Sequence, residues 1–262
     1  MRRRLITAIA LTAAAGLVCT GVAVGEKTTV GHMTVTVDGN VKPKKVSKKK
    51  WTPVSLSVSG EVRSDTGWET IPILDKIIVD FDKHGTIDTK GLPTCNPNKL
   101  INRQVKPARK ACKKSEVGRG KTEAWVTWPD QQPVRAKGTL TAFYGKANGK
   151  PAIIFHVWAF EPLRTAFIAT APIVKSPLKG FGKRVIVNVP TIAGGNGTLT
   201  DFSVKIKRTW KHKRKKRSFL LAKCPDRKFT ARAQLVWLPD PETEQPAQTA
   251  EIGVVRPCKG KR

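Results

Sequence analysis

The acidic stretch from Asp80 to Gly91 is the part of the sequence that most resembles a metal-binding motif. Its oxygen donors at positions one, three and nine (Asp80, Asp82 and Asp88) follow the spacing of an EF-hand calcium loop. Position five is His84, however, and position twelve is Gly91, where a calcium loop places a bidentate glutamate. The alternation of acidic and apolar residues favours a strand that enters a turn. We therefore predict no metal site.

Few residues support a catalytic reaction. His156 lies in an apolar segment, where histidine is more often a core residue than a general base, and no Gly-x-Ser-x-Gly or His-Glu-x-x-His motif accompanies it. Asp80 and Asp82 form an acid pair of the kind that glycosidases use, but no other feature of the chain supports that role. We predict a protein that is not an enzyme and has no catalytic residues or cofactor. A hydrolase of unknown specificity is kept as an alternative.

A strongly basic turn follows an alternating apolar strand late in the chain. Phe202, Val204 and Ile206 alternate with polar residues, and the sequence KHKRKKR begins five residues later. Clusters of this kind bind sulfated or phosphorylated polymers, and a neighbouring tryptophan offers an indole for stacking. A solvated turn without a ligand is the alternative interpretation. The predicted polyanion-binding residues are Lys205, Lys207, Arg208, Trp210, Lys211, Lys213, Arg214, Lys215, Lys216 and Arg217.

Basic residues far outnumber acidic residues in the whole chain. There are 49 Lys and Arg against 19 Asp and Glu, a formal net charge of +30 at pH 7. An imbalance of this size attracts polyanions at low salt, although a solvated basic surface is the simpler alternative. We predict contacts with anionic cell-envelope polymers or lipid headgroups. Nucleic acid is not expected as a physiological partner outside the cell.

The first 25 residues have the composition of a secretory signal. Three arginines precede an apolar run that ends in small residues, and cleavage after Gly25 would expose Glu26. Because the apolar run is long, an uncleaved membrane anchor is the alternative. Residues 26–50 contain many lysines and little apolar content, so we predict a basic flexible tether there. The protein is expected to be secreted or associated with the cell envelope.

Four cysteines follow the signal segment: Cys95, Cys112, Cys224 and Cys258. An even number fits disulfides in an oxidising compartment. Three pairings can be drawn, and we favour Cys95–Cys112 with Cys224–Cys258 because each bond then ties together a local unit. A metal site is the competing interpretation. Since no Cys-x-x-Cys occurs and the histidines lie far from the cysteines in sequence, we predict disulfides.

The segment between Cys95 and Cys112 carries the best helix signal. Asn96 is a good N-cap and Pro97 suits the first helical position, so a short helix is predicted to begin here. Pro107 is expected to interrupt it before a second short apolar stripe ends at Cys112. A disulfide around this unit would contribute about 3 kcal/mol in the chain-entropy model.

Elsewhere, apolar and polar residues alternate in short segments separated by Gly and Pro. This pattern is typical of antiparallel all-β folds. We predict a β-sandwich or barrel-like fold over 51–262, as one body or two packed subdomains, with one short disulfide-bracketed helical segment. Asn148-Gly149 predicts a hairpin whose second strand, 151–160, is apolar on both faces. Other strands are expected at 54–59, 71–82, 122–129, 164–174, 184–189, 198–208, 218–224, 229–238 and 249–256.

Several segments together resemble a family of uncharacterised exported actinobacterial proteins. They are GLPTC, ACKKSEVGRGKTEAWV, FYGKANGKPAIIFHVW, FGKRVIVNVPTIAGGNGTLTDFSVKIKRTW, RSFLLAKCPD and the final RPCK, and the likeness covers most of 51–258. The resemblance implies secretion, a cysteine-stapled β-rich body and no assigned activity. It carries no functional residues over to this chain.

Two functional hypotheses follow from these patterns. In the first, an exported protein without enzymatic activity contacts anionic polymers or lipid headgroups through 42–50 and 205–217, and binding weakens as salt rises. In the second, the protein is a carrier that encloses an apolar ligand in a curved sheet, as the two-sided apolar strand 151–160 suggests. The simpler explanation of that strand is a central position between two packed layers.

Overall fold

The computed structural model describes residues 26–128, 131–161, 164–239 and 246–261. Strand makes up 64% of the structure and helix 8%, so the all-β prediction is confirmed. The predicted signal segment, 1–25, lies outside the described residues. Among the helices that are described, none combines the length and the apolar character needed to span a membrane.

The described residues form nineteen strands. In chain order they are β1 (Glu26–Val30), β2 (Met33–Lys42), β3 (Lys45–Ser47), β4 (Thr52–Pro53), β5 (Ser55–Ser64), β6 (Leu74–Asp82), β7 (Gly85–Ile87), β8 (Glu116–Val126), β9 (Val134–Ala147), β10 (Lys150–Glu161), β11 (Thr165–Lys175), β12 (Phe181–Asn188), β13 (Gly197–Ile206), β14 (Thr209–His212), β15 (Lys215–Ser218), β16 (Leu220–Ala222), β17 (Lys228–Trp237), β18 (Gln248–Pro257) and β19 (Lys259–Lys261).

Twelve of these strands form one antiparallel sheet. Its order is β1-β2-β5-β13-β8-β9-β10-β11-β12-β6-β17-β18. The first and last strands lie side by side, so the sheet is nearly closed into a barrel. Across this seam the Arg256 guanidinium of β18 donates hydrogen bonds to Glu26 of β1 at 3.0 Å and to Asp38 of β2 at 2.5 Å. The barrel-like form of the predicted fold is therefore the one observed.

Residues 26–47 contribute strands β1, β2 and β3, and the prediction of a flexible tether over 26–50 is wrong. Met33, Val35 and Val37 are buried at every second position of β2, which pairs with β5 along its whole length. The lysines that suggested a tether lie at the end of β2 and beyond it, where they are exposed. Burial of the alternating apolar side chains holds the strand in the sheet.

Two of the two-residue turns that join strands have positive φ at both central positions. Asn148 and Gly149 have φ of 49° and 75° and connect β9 to β10, as predicted. Lys213 and Arg214 have φ of 48° and 62° at the tip of the β14–β15 hairpin. Positive φ at both central positions is the requirement of a type I′ turn, whose twist matches that of the flanking strands.

Both predicted disulfides, Cys95–Cys112 and Cys224–Cys258, are present. The sequence separations are 17 and 34 residues, for which the chain-entropy model gives about 3 and 4 kcal/mol. The second bond joins the entry of β17 to the exit of β18. Disulfides are consistent with an extracellular location.

The helical segment differs in detail from the prediction. Asn96 caps a helical start as expected, with its side chain accepting from the Asn98 amide, but the helix is a single 3₁₀ turn, Pro97–Lys99. The α-helix, α1, covers Val105–Ala111 and contains Pro107. The prediction that Pro107 interrupts the helix is wrong because this proline lies in the first turn, where no helical hydrogen bond needs its missing N–H.

The barrel has two ends with different closures. We call the end at which β13 leads into β14 and β15 the hairpin end. There β4, β16 and β7 form a small separate sheet, and Phe219 is fully buried beside it. At the opposite end a packed cluster that includes Met33, Leu74 and Trp237 fills the side formed by β2, β6, β17 and β18.

Candidate functional site: the interior of the sheet

Apolar side chains at alternate strand positions point into the barrel without filling it. Val58 on β5, Val79 on β6, Phe155 on β10 and Val204 on β13 all line the interior, yet each remains only half-buried. A barrel of about eight strands is just wide enough for its own side chains to fill, and the diameter grows with strand number. The twelve-stranded sheet leaves a cavity of about 300 Å³.

The wall of this cavity is almost entirely apolar, with Val, Leu, Ile, Ala and Phe from most strands of the main sheet. The few charged residues are mostly engaged. Asp38 and Arg256 pair with each other, and Asp82 accepts hydrogen bonds from the Thr230 amide and hydroxyl at 2.9 Å. Lys183 and Lys137 also line the cavity, and neither has an acidic partner within 4 Å among the described residues. Lys183 lies near the hairpin end of β12 and is half-buried, whereas Lys137 on β9 is exposed.

Small residues widen one part of the wall. Ala124 on β8 lies in register with Ala136 on β9, and Gly138 on β9 lies in register with Ala159 on β10. A Cβ on Gly138 would come within 2.7 Å of a methyl group of Val157, so glycine is needed for close approach there. These positions keep space open where larger side chains from neighbouring strands would meet.

Among the strands that pair in the main sheet, β11 and β12 share the shortest ladder. Only three residue pairs join these strands, from Ile173 to Lys175 on β11, whereas eight pairs join β10 to β11. Phe167 and Ala169 on β11, and Val187 on β12, line the cavity where this ladder is missing. The cavity therefore adjoins a part of the wall that side chains close without backbone pairing.

The sequence did not identify these cavity-lining residues as a site. Their alternation predicted which faces are apolar, and Ile77, Val79 and Phe81 do share one face as expected. The two-sided apolar strand, β10, is explained in part by the cavity. Its Ile153 face lines the interior, and its Ile154 face packs under the Cys95–Cys112 segment.

The predicted basic turn is a separate two-stranded hairpin, β14–β15. Most of its predicted cations are exposed, and none of these exposed cations has an acidic partner among the described residues. They are Lys205, Lys207, Lys211, Lys213, Arg214, Lys215 and Lys216. This set presents a dense positive charge at the hairpin end of the barrel.

Three other residues of the predicted basic site hold the hairpin to the body. Arg208 donates to the Lys114 carbonyl at 3.2 Å, and the Trp210 indole donates to the Lys90 carbonyl at 3.1 Å. Arg217 forms an ion pair with Asp88 at 2.6 Å. Trp210 also packs against the core at this end. Its ring is therefore used for anchoring, and the predicted stacking role has no support from its position.

Asp80 and Asp82 lie in β6, and their carboxylates are engaged with other side chains. Asp80 is fully buried and accepts from Arg184 at 2.8 Å and from the Ser176 hydroxyl at 2.6 Å, with Arg232 at 3.6 Å. Burial alone would raise the pKa of Asp80, but these hydrogen bonds and guanidinium charges outweigh it and lower the pKa. The carboxylate therefore stays ionised as part of a structural network.

The calcium-like spacing does not produce a calcium loop. The turn after Asp82 leads directly into β7, and the Asp82 carboxylate accepts the His84 amide at 2.8 Å. Within the part of the chain that the structure describes, no group of three or more His, Cys, Asp or Glu residues is placed to hold a metal ion. The structure is the strand entering a turn that the alternation favoured.

His156 lies on the outward face of β10, beneath the disulfide segment and away from the cavity. It is fully buried, and its Nε2 donates to the Arg103 carbonyl at 2.7 Å. Burial lowers the pKa of His156 below its ordinary value. Asp80 and Asp82 lie on β6, which is separated from β10 in the sheet by β11 and β12. The three residues are thus not assembled into a common site.

Comparison with protein families, with curated proteins and with solved structures found no match.

Proposed function

We propose that this protein acts outside the cytoplasm as a carrier and binds an apolar molecule inside its barrel. The observation that supports this proposal is the cavity of about 300 Å³ with its almost wholly apolar wall. Pockets for small molecules generally measure about 300–1,000 Å³ and are lined mainly by apolar side chains with a few polar groups. The cavity falls at the lower end of that range, which suits a single slender hydrocarbon.

An empty cavity of this size would lower the stability of the folded protein considerably. At about 24 cal/mol per Å³, a 300 Å³ apolar void forgoes about 7 kcal/mol of stability. The whole stability of a typical native protein is about 5–15 kcal/mol. Water recovers little of this loss because an apolar wall offers it few hydrogen bonds. An apolar ligand restores the missing contacts, so occupancy and stability are coupled.

The ligand class follows from Lys183, which lines the cavity, is half-buried and has no acidic partner among the described residues. Lys137, the other unpaired lysine of the described wall, is exposed. A molecule with a hydrocarbon tail and an anionic headgroup would bury its tail among the apolar side chains and place its headgroup at Lys183. Lys175 lies directly across from Lys183 in the β11–β12 register and adds positive charge at the same end. The proposed ligand is accordingly an anionic single-chain amphiphile.

The proposed setting is extracytoplasmic. The N-terminal sequence has the layout of a secretory signal, and the two disulfides fit an oxidising compartment. Secretion is tested by expressing the full chain with a C-terminal tag and comparing the N-terminal residue and the cell fraction of the product. A product that keeps residues 1–25 in the cytoplasmic fraction would contradict it.

The cavity proposal is tested with diphenylhexatriene, an apolar probe that fluoresces strongly when it leaves water. The delipidated protein should enhance its fluorescence with saturation near one probe per chain. Ala169→Trp places a large ring in the cavity and should abolish the enhancement. Ala166→Trp, the same change on the outward face of β11, is the matched control and should bind normally. If the wild type and both variants bind diphenylhexatriene equally, the cavity is not the binding site.

A second candidate function is electrostatic contact with anionic envelope polymers or lipid headgroups through the β14–β15 hairpin. Its support is the group of exposed hairpin cations without acidic partners. Co-sedimentation with vesicles that contain phosphatidylglycerol should be strong at low salt and weak at high salt. Replacing Lys211, Lys213, Arg214, Lys215 and Lys216 with Gln should abolish it. The control, with equal loss of charge, replaces Lys27, Lys150, Lys175, Lys179 and Lys228.

The control decides between a local surface and overall charge. If the hairpin variant and the control variant lose vesicle binding to the same extent, the net charge of the protein is responsible and the hairpin is not a specific contact surface. Binding that persists at high salt would contradict an electrostatic contact altogether.

A further inference from the structure

A second depression, of about 720 Å³, lies on the protein surface beside the Cys95–Cys112 disulfide. Its lining comes from the segment 93–99, from the end of α1 and the turn after it, and from the end of β9. Five lysines line it, and no acidic residue does: Lys99, Lys110, Lys113, Lys114 and Lys146. We call this depression the lysine cleft.

The fold holds these lysines in place through the disulfide segment. Lys99 and Lys110 belong to that segment, Lys113 and Lys114 directly follow Cys112, and Lys146 comes from β9. The Cys95 amide donates to the Tyr144 carbonyl at 2.8 Å, and Cys95 forms an isolated parallel β-bridge with Gly145. The segment is therefore docked on the end of β9. A Cβ on Gly145 would lie 2.8 Å from the Cys95 carbonyl, which shows how close this approach is. The cleft is thus built on rigid elements.

The positive charge of the cleft is not neutralised within the described structure. Glu116, the acidic residue nearest to these lysines in sequence, is engaged by Arg109 at 3.0 Å and by Arg119 at 2.5 Å. None of the five lysines forms a salt bridge among the described residues. Like charges gathered in one depression repel each other, and a multivalent anion would remove that repulsion.

We propose that the lysine cleft binds a phosphate-rich linear polyanion. Lysine is a common phosphate ligand because its ammonium group is a compact point charge with three rotatable donors. All the cations of the cleft are lysines. The Arg208 guanidinium at the base of the hairpin donates to the Lys114 carbonyl, so the cleft and the hairpin form one continuous basic surface. A polymer longer than the cleft continues along the hairpin.

This inference is independent of the interior cavity and deepens the second candidate function by assigning it a site and a ligand class. The probe is inorganic polyphosphate, measured by isothermal titration calorimetry. Two variants with equal charge loss are compared. One has the five cleft lysines replaced with Gln, and the other has the five hairpin cations replaced with Gln. The cleft variant should bind at least tenfold more weakly and show a shallower salt dependence, because fewer phosphates are neutralised. The hairpin variant should lose less affinity.

Single substitutions keep the test valid if the fivefold variant folds poorly. Lys110→Glu in α1 faces the cleft and should weaken binding several-fold, whereas Lys106→Glu, exposed on the same helix but outside the cleft, should have little effect. Equal effects of the two substitutions would overturn the site. Equal affinity for dextran sulfate and polyphosphate would overturn the preference for phosphate. If the hairpin variant loses affinity for polyphosphate and the cleft variant does not, the cleft is refuted as the site, whereas the second candidate function is supported.

Discussion

Replacing Ala169 with tryptophan should stabilise the ligand-free protein while it removes ligand binding. Ala169 lines the cavity from β11 and lies in register with Phe155 on β10. The empty cavity of about 300 Å³ forgoes about 7 kcal/mol, and substitutions that fill such space commonly recover about 0.5–2 kcal/mol. The same enlargement in a close-packed core would cost about 1–3 kcal/mol. The sign of the change in unfolding free energy therefore distinguishes a cavity from a core.

The assay is urea unfolding of delipidated protein followed by far-ultraviolet circular dichroism, with the shift in midpoint read at constant slope. A saturating ligand adds a second criterion. Dodecanoate at a hundred times its dissociation constant should stabilise the wild type by about 2.7 kcal/mol and the Ala169→Trp protein by nothing measurable. Ala166→Trp should keep the ligand response. Destabilisation by Ala169→Trp of more than about 1 kcal/mol, with an unchanged ligand response, would refute the reasoning.

Burial lowers the pKa of His156 in the folded protein. In the unfolded chain a histidine has a pKa of about 6.5. The contribution of neutral His156 to stability is therefore complete above that pH and is lost as the pH falls below it. His156→Gln should flatten this part of the pH dependence of the urea midpoint. Asp80→Asn leaves Arg184 and its neighbours without their buried carboxylate and should cost about 3–5 kcal/mol, measured by the same unfolding assay. Lys183→Met should weaken dodecanoate binding about tenfold and leave dodecanol binding unchanged by calorimetry. Lys179→Met, exposed in the turn that precedes β12, should change neither.

Much of the local structure could be predicted because it depends on neighbouring residues. Alternating side chains defined most strands, and Asn148-Gly149 fixed a turn that requires positive φ at both positions. The disulfide pairing followed from the preference for local loops. The wrong prediction of a flexible tether over 26–50, where β2 lies, also came from local sequence. Met33, Val35 and Val37 alternate as strand residues do, but the lysine run after them dominated the composition of the segment.

The sequence could not decide between a sandwich and a closed sheet, or identify the residues of the two candidate sites, because these depend on long-range contacts. Alternation tells which side chains face inward, but the cavity exists only because twelve strands close around them, and strand number is set by pairings such as β5 with β13. The lysine cleft depends on docking of the disulfide segment against the end of β9. Lys146 is distant in sequence from Lys99 and Lys110, and no local pattern connects them.

The hydrogen-bonded ring is interrupted between β18 and β1 and reduced to three residue pairs between β11 and β12, and the two places are closed differently. Between β18 and β1, side-chain hydrogen bonds from Arg256 to Glu26 and Asp38 span the gap. Between β11 and β12 no salt bridge joins the strands among the described residues, and apolar side chains from both strands, Phe167 and Val187 among them, border the cavity. Separating apolar side chains costs less when an apolar ligand replaces the lost contacts, whereas opening the Arg256 seam exposes paired charges with no such compensation. The route into the cavity that breaks the fewest interactions therefore passes between β11 and β12, on the side of the three paired residues where Phe167 and Val187 lie.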